Sequence, residues 1–227
     1  MKPPPLEILY EDNHLLVVNK PAGLPTMGVA PDKPSLLTVA KDYVKQRYQK
    51  PGNVYLGILS RLDAPVTGVV LLARTSKAAR RLTEQFRERR VEKTYWALVA
   101  GALEPPEGTC ENWLAHDERH RRMHIVGPAV PGAQHARLAY RRLALFSDDS
   151  LVEISLETGR KHQIRIQLAE RGHPILGDRK YGSRQPWPVG IALHARRLTI
   201  SHPTGGNCVT FEATLPAPWR AFGVRDS

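Results

Sequence analysis

Short apolar runs separated by turn residues set the pattern of the first hundred positions. "LEILY" (6–10) and "HLLVVNK" (14–20) flank the polar triplet "EDN", a pairing that predicts a β-hairpin. Pro21, Gly23 and Pro25 then force a loop. From Ser35 to about Gln49 the spacing changes: Leu36, Leu37, Val39, Ala40, Tyr43 and Val44 recur at helical intervals, with Ser35 as the cap and Pro51-Gly52 as the stop. "VYLGILSRLD" (54–63) and "GVVLLART" (68–75) predict two further strands. "SKAARRLTEQFRERR" (76–90) predicts a basic helix capped by Ser76, with Ala79, Leu82 and Phe86 facing inward. "EKTYWALVAG" (92–101) has the β-branched and aromatic content of a buried strand.

Beyond Gly101 the pattern weakens. Pro, Gly, His and Arg accumulate between about 104 and 136, and the segment predicts a basic excursion without regular structure. Strands return in "ARLAYRRLALF" (136–146) and "SLVEISLE" (150–157), and Thr158-Gly159 bends the chain into "RKHQIRIQLAERG" (160–172), a predicted helix ending at Gly172. "IALHARRLTISHP" (191–203) and "CVTFEATLP" (208–216) complete the strands. No internal repeat is present. The elements define a strand-rich α+β (mixed α/β) protein with helices packed on a mixed sheet.

At 227 residues the chain can bury one sizeable core or two lobes sharing a sheet. The reading takes 6–227 as a single domain and "MKPPP" (1–5) as a flexible N-terminus. Charge narrows the class of partner: 33 Lys+Arg against 22 Asp+Glu leaves a net +11, which favours a polyanion such as nucleic acid over an acidic small molecule. Two cysteines, Cys110 and Cys208, exclude a disulfide framework and a paired zinc motif. With no secretory apolar segment and no run near the ~18 residues of a membrane span, the expectation is a soluble cytoplasmic protein.

Nine histidines raise the question of a metal. His116, His120 and His124 are four apart and would share one face of a helix. The segment lacks an apolar stripe, Asp117 stands where a zincin has glutamate, and the neighbouring basic residues would repel a dication, so no metal is expected. No G-x-x-x-x-G-K-[ST], G-x-G-x-x-G or G-x-S-x-G occurs; nucleotide cofactors are not implied, and the commonest serine-hydrolase signal is missing. Three modest elements remain: Asp63 in "SRLDAPVTG" (60–68), Tyr95 in "KTY", and Arg165 in "TGRKHQIRIQL" (158–168). Each alone reads blandly, as a turn former, a core aromatic and a surface charge.

Together they resemble the RluA-type RNA pseudouridine synthases, in a short form without an S4-type RNA-binding domain. "SRLDAPVTG" resembles that family's HRLD-x-x-TSG motif, "EKTYWALVAG" its K-x-Y-x-A-x-V strand, and "TGRKHQIRIQLAERGHPILGDRKYG" its longest motif. "NKPAGLPT" (19–26) and "LHARRLTISHP" (193–203) also look like family elements, in the same order, so the resemblance spans about Leu6 to Leu215. It implies the pseudouridine synthase catalytic fold, a central mixed, mostly antiparallel sheet flanked by helices and loops. It implies isomerisation of uridine in structured tRNA or ribosomal RNA without cofactor, and a monomer is the simpler expectation. Carried over residue by residue, it makes Asp63 the essential carboxylate, Arg165 its ionic partner, Tyr95 the active-site tyrosine and Arg61 the residue that fills the gap left by a flipped base. Ile164 would pack beneath the base, and Arg160, Lys161, His162 and Gln163 would meet the substrate. The chain departs from the pattern at Ser60, Val66-Thr67 and Lys161, where His, Thr-Ser and Thr are usual, and the departures at Ser60 and Val66 motivate an alternative: a non-catalytic RNA-binding or chaperone-like relative. The basic helix 76–90, the 116–124 excursion and "RKHQ" form the expected electrostatic footprint for RNA.

Overall fold

The computed structural model describes residues 6–30, 32–120 and 122–225, so the flexible start expected of 1–5 lies outside the described residues. The chain divides into two compact units. One runs up to Glu92 and takes in Ala195–Pro216; the other comprises Lys93–His194 and Ala217–Arg225.

In the first unit the predicted hairpin forms from β1 (Glu7–Glu11) and β2 (Leu15–Lys20), paired antiparallel. The "EDN" turn works through Asp12, whose Oδ1 accepts the amides of His14 (2.7 Å) and Leu15 (2.6 Å). The predicted strand 54–63 shrinks to β3 (Gly57–Ile58), which pairs with Ala73 and Leu72 of β4 (Thr67–Ala73). The Leu59 amide still reaches the Leu71 carbonyl of β4 (3.4 Å); beyond it the chain leaves the sheet, and the Leu62 backbone is captured by the Thr26 side chain, described below. β2 lies antiparallel to β4, with Lys20 opposite Gly68. The strand order is β1-β2-β4-β10, where β10 is Leu193–Ser201 and pairs antiparallel with β11 (Cys208–Glu212).

All seven residues of β4 are buried, as expected of a strand covered on both faces. Leu15, Val17, Val69 and Leu71 share a core with Ala78 and Leu82 of helix α2 (Ser76–Arg87) and with Leu198, Ile200 and Phe211. Thr75, not Ser76, caps α2: its extended backbone lets Oγ1 accept from Ala78 N at 3.2 Å. Helix α1 (Leu36–Arg47) begins at Ser35, as predicted, with a reciprocal capping box to Thr38. Gly68 sits at φ +114, and a Cβ there would lie 2.2 Å from the Ala195 carbonyl oxygen, so the approach of β4 to β10 needs a residue without a side chain.

The second unit is an antiparallel sheet in the order β5 (Glu92–Val99), β9 (Asp149–Leu156), β8 (Gln134–Phe146), β6 (Glu107–Asp117), β7 (Arg122–Val126). The segment expected to lack structure is therefore mostly strand. Its outward positions carry Glu107, Thr109 and Glu111, while single small or apolar residues such as Cys110 and Leu114 face in, so it shows no apolar run. Helix α3 (Gln163–Glu170) ends beside Gly172 as predicted, and packs Ile166 against Leu114, Met123 and Ala136. A short helix, α4 (Ala217–Ala221), was not signalled by periodicity; it is seated by Trp219, whose ring lies 5.7 Å from that of Trp187. Strands mostly paired antiparallel, with helices outside the strand order, make this an α+β fold.

Candidate active site

Asp63 is half-buried in the coil that leads to β4, and its carbonyl accepts from Val66 N at 3.0 Å, closing a turn over Ala64-Pro65. Both neighbours in the chain are pinned by "NKPAGLPT". The Thr26 hydroxyl donates to the Leu62 carbonyl (2.8 Å) and accepts from the Leu62 amide (3.1 Å). The Ala64 carbonyl accepts from Gly23 N (2.8 Å) and from Lys20 Nζ (3.2 Å). The carboxylate thus stands on a backbone fixed on each side. Val66, one of the departures from the family pattern, is 2% exposed and serves as core. Arg61 is exposed.

Lys20 was not singled out from the sequence. Its side chain is fully buried at the end of β2, and Nζ donates to the carbonyls of Pro21 (2.8 Å), Leu24 (2.8 Å) and Ala64, matching three acceptors to the three protons of an ammonium. Burial pushes its pKa down from 10.5 to about 7, and the Asp63 carboxylate opposes that shift. Below pH 7 the group is charged in both folded and unfolded chains, and its desolvation cost is felt in full. Between about 7 and 10.5 the folded protein releases a proton that the unfolded chain keeps, so this group makes stability rise with pH across that window. Urea unfolding at pH 7 and pH 10 is expected to show that rise in the wild type. The Lys20→Met variant should lose it, and equal pH slopes for the two proteins would contradict the assignment.

In the second unit Tyr95 is half-buried on β5, opposite Ile154 of β9. Arg165, expected from the residue type alone to be a surface charge, is 6% exposed on α3. Its Nε and Nη2 donate to Asp178 Oδ2 (2.6 Å) and Oδ1 (2.8 Å), a bidentate pair with a carboxylate that is itself 2% exposed. Its guanidinium carbon lies 5.1 Å from the centre of the Tyr181 ring. Ile164 is 5% exposed beside it. Asp178 and Tyr181 belong to "GDRKYG", part of the longest motif, but no role was given to them from sequence; an acid bracketed by glycines was the available signal.

The segment 160–163 holds itself together. Gln163 is 3% exposed; its Oε1 accepts from the Thr158 hydroxyl (2.8 Å) and the Arg160 amide (3.0 Å), and its Nε2 donates to the Arg137 carbonyl (3.1 Å). Arg160 Nε donates to the His135 carbonyl (2.9 Å), and Lys161 Nζ lies 3.2 Å from His116 Nε2. His162 precedes α3 in the left-handed conformation, φ +53, with Nδ1 2.7 Å from the Tyr181 hydroxyl.

The three histidines of 116–124 do not share a helix face. His116 lies on β6 opposite Met123, His124 on β7 opposite Ala115, and His120 occupies the turn, bonded to Asp117 (2.7 Å). Backbone and side-chain hydrogen bonds from His120 hold the Asp117 carboxyl below its ordinary range. Among the described residues no three His, Cys, Asp or Glu side chains are placed to hold a metal. No helix of the described residues is long and apolar enough to cross a membrane. On and after α2, Arg81 donates to the Pro203 carbonyl and Arg90 pairs with Glu88, while Lys77, Arg80 and Arg89 stand exposed.

Solved structures place this architecture among the pseudouridine synthase folds. It superposes on human RNA Pseudouridylate Synthase Domain Containing 4 with a TM-score of 0.79, at 26% identity over 97% of this chain and 94% of that one. The corresponding human Domain Containing 1 protein gives 0.73 at 29% identity, over 96% and 87% of the two chains. At the level of sequence, the model of the family described as RNA pseudouridylate synthase matches residues 14–170. The chain belongs to that family, and its similarities are to RluA- and RluD-type members. It is 38% identical to the dual-specificity RNA pseudouridine synthase RluA of Escherichia coli K12, over 92% of this chain and 93% of that protein. It is also 38% identical to the ribosomal large subunit pseudouridine synthase D of Nitrosomonas europaea, over 93% of this chain but 62% of the relative's length.

Proposed function

We propose that the protein converts uridine to pseudouridine in structured tRNA or ribosomal RNA, as a cytoplasmic monomer acting without metal or cofactor through a single catalytic domain spanning 6–227. The observation that carries this reading is Asp63: a carboxylate in the family's RLD position, on a loop whose backbone is tied on both sides by Lys20, Gly23 and Thr26. Such preorganisation suits a group that must meet one carbon atom of a substrate. The reaction breaks the N1–C1′ bond, turns the base over, joins C5 to C1′, and moves the C5 proton off while N1 gains one.

Asp63 acts in one of two ways, attacking C1′ or assisting loss of the C2′ proton to give a glycal. Arg165 serves as the cationic group of the reaction, and Tyr95 lies against the base and relays the C5 proton. Ile164 packs beneath the base, and Arg61 takes the space that the flipped uridine leaves in its stack, offsetting a cost of a few kcal/mol. Arg160, Lys161, His162 and Gln163 form the substrate-facing segment, with Gln163 bracing it from inside. The exposed cations of α2 and of 116–124 supply affinity for the phosphate backbone that weakens with salt.

The experiment is pseudouridine mapping, by carbodiimide treatment and primer extension, in RNA from cells with and without the gene. At least one stop should vanish on deletion and return when the gene is restored. An unchanged pattern would count against the reading and favour a relative that binds RNA without modifying it.

A further inference from the structure

We propose that Tyr181 is a positioning residue for uridine isomerisation, its ring steadying Arg165 and its hydroxyl steadying the substrate-facing segment at His162. The inference rests on the isomerase reading above. Asp178 and Tyr181 sit on one short 3-10 turn (Arg179–Tyr181 with Asp178 leading in), and the Tyr181 amide donates to the Asp178 carbonyl at 3.1 Å. The carboxylate and the ring are therefore presented as one rigid piece. Asp178 grips the Nε and Nη2 edge of the Arg165 guanidinium, while the ring lies 5.1 Å from its central carbon. A guanidinium held at its edge by a carboxylate can still swing about that edge; an aromatic face opposes the swing through the ring quadrupole, an attraction that grows when water is excluded.

The hydroxyl does separate work. It accepts from the Met123 amide of β7 (3.0 Å) and lies 2.7 Å from His162 Nδ1, with the two rings edge-on at 82°. A phenol has one proton and two lone pairs, so it can serve both neighbours at once. His162 holds φ +53, a conformation that non-glycine residues keep only where surrounding bonds over-determine it. Tyr181 thus joins three parts of one unit: the helix carrying Arg165, the segment 160–162, and the β6–β7 hairpin.

The two roles separate by substitution. Tyr181→Phe keeps the ring and loses the hydroxyl; it should raise KM for RNA about threefold to tenfold and leave kcat within about twofold. Tyr181→Leu loses both, and kcat should fall about tenfold as well. Kinetics are scaled to the folded fraction, measured by thermal melting. A purely structural tyrosine would change the melting temperature alone. A second readout needs no turnover: the Arg165 Nε–H resonance, assigned with Arg165→Lys, should persist in the Phe variant and broaden or vanish in the Leu variant. Wild-type kcat and KM in both variants, or an unaltered Arg165 signal in Tyr181→Leu, would overturn the proposal. Wild-type protein that converts no uridine would overturn the isomerase reading instead, and the Arg165 resonance would then decide on its own whether Tyr181 holds the guanidinium.

Discussion

Asp63→Asn is expected to abolish pseudouridine formation while leaving RNA affinity within about threefold of wild type. The amide is nearly isosteric with the carboxylate, and the loop is tied through the backbone of Leu62 and Ala64, not through the Asp63 side chain alone. The turn should therefore survive. What disappears is the negative charge that either route at C1′ or C2′ needs, and loss of an essential nucleophile or base removes at least about four orders of magnitude in rate. Tritium release from C5 of uridine, beside filter binding of the same RNA, separates the two quantities. A side effect follows from the buried ammonium beneath the loop. Asp63 opposes the downward shift of Lys20, so the Asn variant should move the Lys20 titration below about 7.

Arg165→Met is expected to cost both activity and stability, and the second loss can be undone without the first. Asp178 is 2% exposed, and removing its bidentate partner leaves a buried carboxylate uncompensated, at about 3–5 kcal/mol. For a chain of this size that corresponds to a fall in Tm on the order of 10 °C. Adding Asp178→Asn removes the stranded charge, so the double variant should regain most of the lost Tm. It should not regain turnover, because the guanidinium is still missing. Recovered turnover in the double variant would mean that Arg165 matters only as a structural ion pair.

Much of the first unit was legible because its cues are local. The hairpin at "EDN", the Ser35 cap and the apolar β4 each follow from a few adjacent residues. The second unit hid β6 and β7, since a ribbon with one polar face shows only isolated inward residues such as Cys110 and Leu114, amid His and Arg that suggested a loop. The same limit applies to the site. Motifs single out Asp63, Tyr95 and Arg165 as candidates, but motifs do not show what supports a side chain. Lys20 looked like an ordinary charge ending "HLLVVNK"; only the fold buries it under Ala64 and sets three carbonyls around it. Arg165 looked like surface, and the carboxylate that makes its burial tolerable lies thirteen residues away in "GDRKYG". Partners brought together by long-range folding leave no mark in local spacing.

The central claim is that this chain makes pseudouridine, and the most direct test is made in vitro with purified protein and unmodified RNA. Uridine-tritiated total RNA from cells lacking the gene is incubated with wild-type protein and with Asp63→Asn, without added metal or nucleotide. The wild type should release tritium from C5 in proportion to new pseudouridine in the nuclease digest, and the Asn variant should release none. RNA that is bound by the wild-type protein but yields no tritium would contradict the account.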